Sequence, residues 1–100
     1  MEFNDTLITF IVNHGDAHNV MTVAREAGAQ GGTIVNAHGT GKEGDVTFFG
    51  MNLMSEKEML IIVANKELAS KILGAVKGLE MFKQGGGGII YTGDVNRYVP

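Results

Sequence analysis

The chain of 100 residues contains no cysteine and only one proline, and it has fewer cationic than anionic side chains. Without cysteine there is no disulfide framework, no thiolate metal site and no cysteine nucleophile. One proline against 15 glycines excludes a proline-rich linker. Eight Lys and Arg against 11 Asp and Glu leave a formal net charge of −3. That balance argues against a nucleic-acid partner, which calls for a basic face. No apolar run approaches the roughly 20 residues that span a bilayer. The opening MEFNDT also lacks the basic start of a signal peptide. We therefore expect a cytoplasmic protein with no membrane insertion.

What is present is ordinary for a folded domain: 44% hydrophobic and 19% charged residues, enough to bury one core and too apolar for disorder. Residues 1–100 are read as a single domain. The glycines are clustered at Gly28, Gly31 and Gly32, at Gly39, Gly41, Gly44 and Gly50, and in the run 85–88. Clustering of this kind marks tight turns, mobile loops or close approach of backbone to a ligand.

Four apolar, β-branched stretches read as strands: 7–12 (LITFIV), 33–37 (TIVNA), 58–64 (EMLIIVA) and 89–92 (IIYT). A fifth, 46–49 (VTFF), reads as a short strand within a polar, glycine-punctuated loop from His38 to about Ser55. Between the first two strands, Val20, Met21, Ala24 and Ala27 recur at helical spacing, with Asp16 placed to cap the helix and Gly28 to end it. Leu68, Ile72, Val76 and Leu79 mark one face of a second helix. Gly74 and Gly78 fall inside that pattern and imply close packing there.

The order is βαββαβ, which predicts an α+β ferredoxin-like sandwich: an antiparallel four-stranded sheet with two helices on one face. Following the chain up and down this topology brings His14, His18, the long loop and the glycine run 85–88 to one end, where a site is expected. The strands over 7–12 and 59–64 are apolar at nearly every position, whereas a sheet with one wet face alternates. The face without helices therefore needs a cover, and a second copy of the chain is the simplest one.

The stretch GAQGGTIVNAHGTG over 28–41, followed by FFG at 48–50 and EKEMLIIV at 56–63, resembles the PII nitrogen-regulatory family, most closely its small PII-like branch. The likeness runs over essentially the whole chain. It implies a homotrimer with its sheets facing inward and an adenine nucleotide in each cleft between subunits. One wall of that cleft is the base of the T-loop (about 38–56), which here matches His38, Gly39, Thr40, Gly41, Lys42 and Glu43. The facing wall is the B-loop (about 83–88), matching Gly85, Gly86, Gly87 and Gly88. Backbone N–H groups in such a run can cradle phosphate without side-chain obstruction. The resemblance further implies regulation of a protein partner, such as a membrane transporter, through the loop.

The chain also departs from the better-known members. Gly86 and Gly88 stand where those carry an acidic residue and a phosphate-binding lysine, and Arg97 is the one arginine near the end. Charge-assisted contacts hold phosphate more strongly than neutral amides, so ADP, AMP or cyclic AMP joins ATP as the expected effector. The long loop holds no tyrosine, Tyr91 and Tyr98 lying later, so uridylylation of the loop is not expected. Glu43 replaces a glutamine that helps hold Mg²⁺, which leaves the metal's part in binding open and a 2-oxoglutarate site unexpected.

Several features carry a second reading. The run 85–88 reads either as a flexible turn or as a ligand loop, and Lys42 as a solvated side chain or a phosphate contact. His14, His18 and His38 share one end and imidazole binds Zn²⁺, but their spacing matches no ligand pattern, so no metal site is expected. Phe48 and Phe49 read as packing for the loop base or as an apolar face for a partner, as do Met51, Met54 and Met59. No nucleophile–base pair or paired carboxylates appear and Ser55 has no evident base, so no catalytic residue is expected. The alternative to a nucleotide sensor is a metal- or small-anion-binding trimer of similar fold.

Overall fold

A computed structural model describes residues 2–39, 47–48, 51–52, 56–83 and 87–98. Four long strands, β1 (Glu2–Asn13), β2 (Thr33–His38), β5 (Glu56–Ala64) and β6 (Ile89–Tyr98), form one sheet in the order β2-β5-β1-β6. Every neighbouring pair is antiparallel. Two short strands, β3 (Thr47–Phe48) and β4 (Met51–Asn52), pair with each other in a separate ribbon between β2 and β5. Helices α1 (Ala17–Glu26) and α2 (Lys66–Val76) complete the ferredoxin-like βαββαβ plan that the pattern predicts.

Alternation along the strands assigns the two faces. Ile8, Phe10 and Val12 of β1 are wholly buried, as is Leu60 of β5, and they pack with Val20 and Ala24 of α1 and with Ile72 and Val76 of α2. The odd-numbered positions of β1 and β5 point the other way, and the register puts Leu7, Ile11, Met59, Ile61, Val63, Val35 and Tyr91 together on that face. No helix covers it. Val35, Val63 and Tyr91, 42–47% exposed, are the large hydrophobics most open to water among the described residues. All three lie on this one face, Val63 within the apolar run of β5 and Val35 and Tyr91 brought there by the register.

The elements are longer or shorter than the apolar patterns imply in ways that backbone pairing explains. Strand β6 continues through the polar residues up to Tyr98 because β1 starts at Glu2 and offers it a ladder, with Glu2 opposite Tyr98. Helix α2 ends at Val76, so Gly78 lies in the turn beyond it and Leu79 leads into a 3₁₀ turn, Glu80–Phe82. Gly74 is exposed, and a Cβ built there meets no atom within 4 Å, so it does not mark close packing. Gly28 does close α1: it has φ +117° in the C′ position, its N–H bonds Arg25 O at 3.0 Å, and Ala29 N–H bonds Ala24 O at 2.9 Å.

Candidate functional site

One end of the sheet gathers the end of β1, the end of β2, the start of β5 and the turn before β6. The α1 N-terminus there is held differently from what its sequence implies. Asp16 occupies the N-cap position, yet its side chain makes no capping bond. Glu58, 41 and 43 residues away in sequence, accepts the N–H groups of Ala17 and Gly15 on Oε1, each at 3.0 Å. Its Oε2 lies 3.6 Å from Nδ1 of His14. Glu58 sits on the helix-covered face at 7% exposure, where an unpaired carboxylate would be costly, and the orphan N–H groups of the helix supply the pairing. The carboxylate thus ties the β1–α1 turn, with His14, to strand β5.

Lys57, next along β5, is also withdrawn from water, at 1% exposure. Its Nζ donates to Asn13 Oδ1 at 2.8 Å, across the β5–β1 register pair. Burial pushes the Lys57 ammonium below the ordinary lysine value because desolvation disfavours its charged form. Asn13 in turn leaves no room for a side chain at the turn before β6, since a Cβ built on Gly87 would lie 3.0 Å from Asn13 Nδ2.

Two glycines of that turn do separate jobs. Gly87 adopts φ +93°, a conformation that L side chains rarely take. Gly88 donates its N–H to Met81 O at 2.6 Å, and a Cβ there would come within 2.7 Å of that oxygen and of the Phe82 ring. Phe82 is itself packed on Phe10 of the core, ring centroids 5.8 Å apart. Gly88 therefore anchors the turn, its N–H committed to Met81 O.

His38 and Gly39 close β2 at the same end, where an open cleft of about 410 Å³ is lined by His14, Asn36, Ala37, His38, Glu56 and Lys57. A slightly larger hollow, about 430 Å³, lies at the far end of the sheet beside Gln30 and Asn65. Size does not choose between them; none of the sequence-predicted site residues lines the second. Of those predicted residues, His38, Gly39, Gly87 and Gly88 are placed at the common end, while Thr40, Gly41, Lys42, Glu43, Gly85 and Gly86 lie outside the described residues. So do Phe49, Met54 and Ser55. His18 is exposed on α1, and among the described residues no three metal-ligating side chains converge.

The two expected walls share an end but not an edge. His38 ends β2 and Gly88 precedes β6, and these strands are the two outer members of the sheet. Three strand spacings of roughly 4.8 Å separate them, about 14 Å in all. Within one chain the walls do not face each other, and Lys57 and Asn13 fill the space between. Neither residue stands out as a site by sequence pattern. The available signal is the charged triplet Glu56-Lys57-Glu58 opening an otherwise apolar strand, since charges at sheet positions must find partners.

The family model described as "Nitrogen regulatory protein P-II" matches residues 5–99. A comparison with curated proteins found no match. Among solved structures, a nitrogen regulatory PII-like protein from Thiomonas intermedia K12, CPII, bound to ADP, AMP and bicarbonate, has 20% identity and a TM-score of 0.75, covering 100% of this chain and 99% of that one. A PII-like signalling protein from Thermus thermophilus has 20% identity and a TM-score of 0.71, covering 96% of this chain and 90% of that one. GlnK from B. subtilis, solved as a complex with ATP, has 15% identity and a TM-score of 0.68, covering 92% of this chain and 82% of that one.

Proposed function

This chain belongs to the nitrogen regulatory protein P-II family, and from that premise we propose that it is a signalling protein whose subunits hold an adenine nucleotide between them and control a protein partner. The observation that carries the reading is the placement of two glycine-bearing walls at one end but on opposite edges of the sheet. A wall at each edge becomes a cleft only when the edge of one copy meets the opposite edge of another. The exposed apolar face supports the same assembly: Val35, Val63 and Tyr91 have no cover within the chain, and a closed ring of three copies hides all three sheets at once. The protein is then a homotrimer with three equivalent clefts.

In each cleft the T-loop base, His38, Gly39, Thr40, Gly41, Lys42 and Glu43, faces a neighbour's B-loop, with Gly85, Gly86 and Gly87 offering backbone N–H groups to phosphate and Gly88 anchoring the turn. Binding at the loop base biases the conformation of the T-loop over about 38–56, and that loop carries the signal to the partner. A membrane transporter is the partner class we favour, with the protein acting in the cytoplasm and not as an enzyme. ADP or AMP is the preferred effector. Neutral glycines in the B-loop neutralise less of a triphosphate's charge than a lysine does, and the Thiomonas CPII structure holds ADP and AMP.

Calorimetric titration with ATP, ADP, AMP and cyclic AMP, with and without Mg²⁺, tests the reading. Micromolar binding at one nucleotide per subunit, strongest for ADP or AMP, is expected. Absence of heat with all four overturns it. The assembly has its own check: Val63→Glu places a charge on the apolar face, and sedimentation velocity is expected to show the trimer dissociating to monomer. A wild-type chain that sediments as a monomer at tens of micromolar contradicts the proposed cleft.

A further inference from the structure

The charged residues at the 410 Å³ cleft beside His14 and His38 do not all turn their charge toward it. Lys57 directs its ammonium to the β1 side, where Asn13 Oδ1 accepts it at 2.8 Å. Glu58 gives its carboxylate to the N–H groups of Gly15 and Ala17 and to His14. Glu56 differs from both. It lines the cleft, it is exposed, and it stands opposite His38 in the β2–β5 register. Among the described residues no cation pairs with its carboxylate. The fixed charge that these residues present to the cleft is therefore negative. A hollow of 410 Å³ is roughly 9 Å across, which keeps an anion inside it within about 6–8 Å of that carboxylate. At that range in water, each pair of like unit charges lowers affinity about two- to threefold.

We propose that Glu56 is a specificity-determining residue of this cleft: its carboxylate penalises an adenine nucleotide for each phosphate it carries and so selects AMP or ADP over ATP. A like charge set against an unwanted ligand discriminates as well as a new contact to the wanted one. Each further phosphate adds about one negative charge, so the penalty accumulates along the series. Naming nucleotides rests on the function proposed above; the sign of the charge at the cleft does not.

The test titrates the wild type and Glu56→Gln with AMP, ADP and ATP, without Mg²⁺ and at pH 8, where an ordinary imidazole carries no charge. Glutamine keeps the size of the side chain, and a change at an exposed position leaves folding nearly unaltered. Glu56→Gln is expected to bind all three more tightly, with a gain about four- to sevenfold larger for ATP than for AMP at ~0.01 M salt. Raising the salt to ~0.15 M should shrink that difference to about two- to threefold, a response that a merely structural effect would not give. An equal gain for AMP and ATP, or no gain, overturns the role of Glu56 and leaves the nucleotide reading standing. If the wild type binds none of the three while Glu56→Gln binds ADP or ATP, the charge barrier stands and the nucleotide reading fails for the natural chain. Failure of both proteins to bind any of them overturns both.

Discussion

Glu58 offers the sharpest test of how this end of the molecule is held together. The sequence places Asp16 at the N-cap of α1, where a capping aspartate is ordinarily worth about 1 kcal/mol. In the structure the cap is Glu58, bonded to Ala17 N–H and Gly15 N–H at 3.0 Å each. Ala17 is wholly buried, so its bond is lost without replacement in Glu58→Ala, at about 2 kcal/mol for a bond to a charged acceptor. Gly15 is exposed and water can take over its N–H, which leaves roughly 0.5 kcal/mol there, and loss of the charge at the helix N-terminus adds about another 0.5. Glu58→Ala is therefore expected to cost about 3 kcal/mol, Glu58→Gln about half that, and Asp16→Ala less than about 0.5. Urea denaturation followed by far-ultraviolet circular dichroism, at one fixed protein concentration because self-association adds to apparent stability, reads these differences. With an m-value of about 1.5 kcal/mol/M, the Glu58→Ala midpoint falls by roughly 2 M. An Asp16→Ala cost equal to or larger than that of Glu58→Ala would refute the reasoning.

Two further outcomes are expected. Gly88→Ala drives a Cβ to 2.7 Å from Met81 O and the Phe82 ring; it should cost about 1–3 kcal/mol and displace the Phe82 ring signals in NMR, whereas Gly74→Ala, in open space on α2, should stabilise by roughly 0.5–1 kcal/mol. Lys57 has a pKa lowered by burial from the ordinary 10.5, so below that value the unfolded chain binds more protons than the folded one. Its contribution to stability therefore rises with pH up to about 10.5 and is lost as pH falls through the folded-state pKa. The wild-type-minus-Lys57→Met difference in unfolding free energy should carry this positive slope; a flat difference across the alkaline range contradicts it.

The βαββαβ order, the two helices and the exposed apolar face were all legible in the sequence because each depends on periodicity along a short stretch. Alternation of Ile8, Phe10 and Val12 with Leu7 and Ile11 says that β1 is apolar on both sides, and that alone requires something to cover the second face. Topology then carries His14, His38 and the glycine run to one end without any knowledge of contacts. The resemblance over 28–41 and 56–63 pointed to the family that the model match over 5–99 establishes.

Tertiary structure decided what local pattern cannot express. Asp16 carries the right side chain in the right place for a cap, but whether it bonds depends on what else reaches the helix end, and Glu58 arrives from a strand about 42 residues further along the chain. The glycine run reads as one uniform phosphate nest, yet Gly88 spends its N–H on Met81, because the 3₁₀ turn after α2 brings that carbonyl within 2.6 Å. Lys57 looks like one member of a charged triplet at a loop boundary. Only the β5–β1 register, which sets it opposite Asn13, shows that it is a buried cation in the middle of the sheet. Hydrophobic period is encoded residue by residue along the chain, whereas the partners of a buried polar group are chosen by strands that meet only after folding.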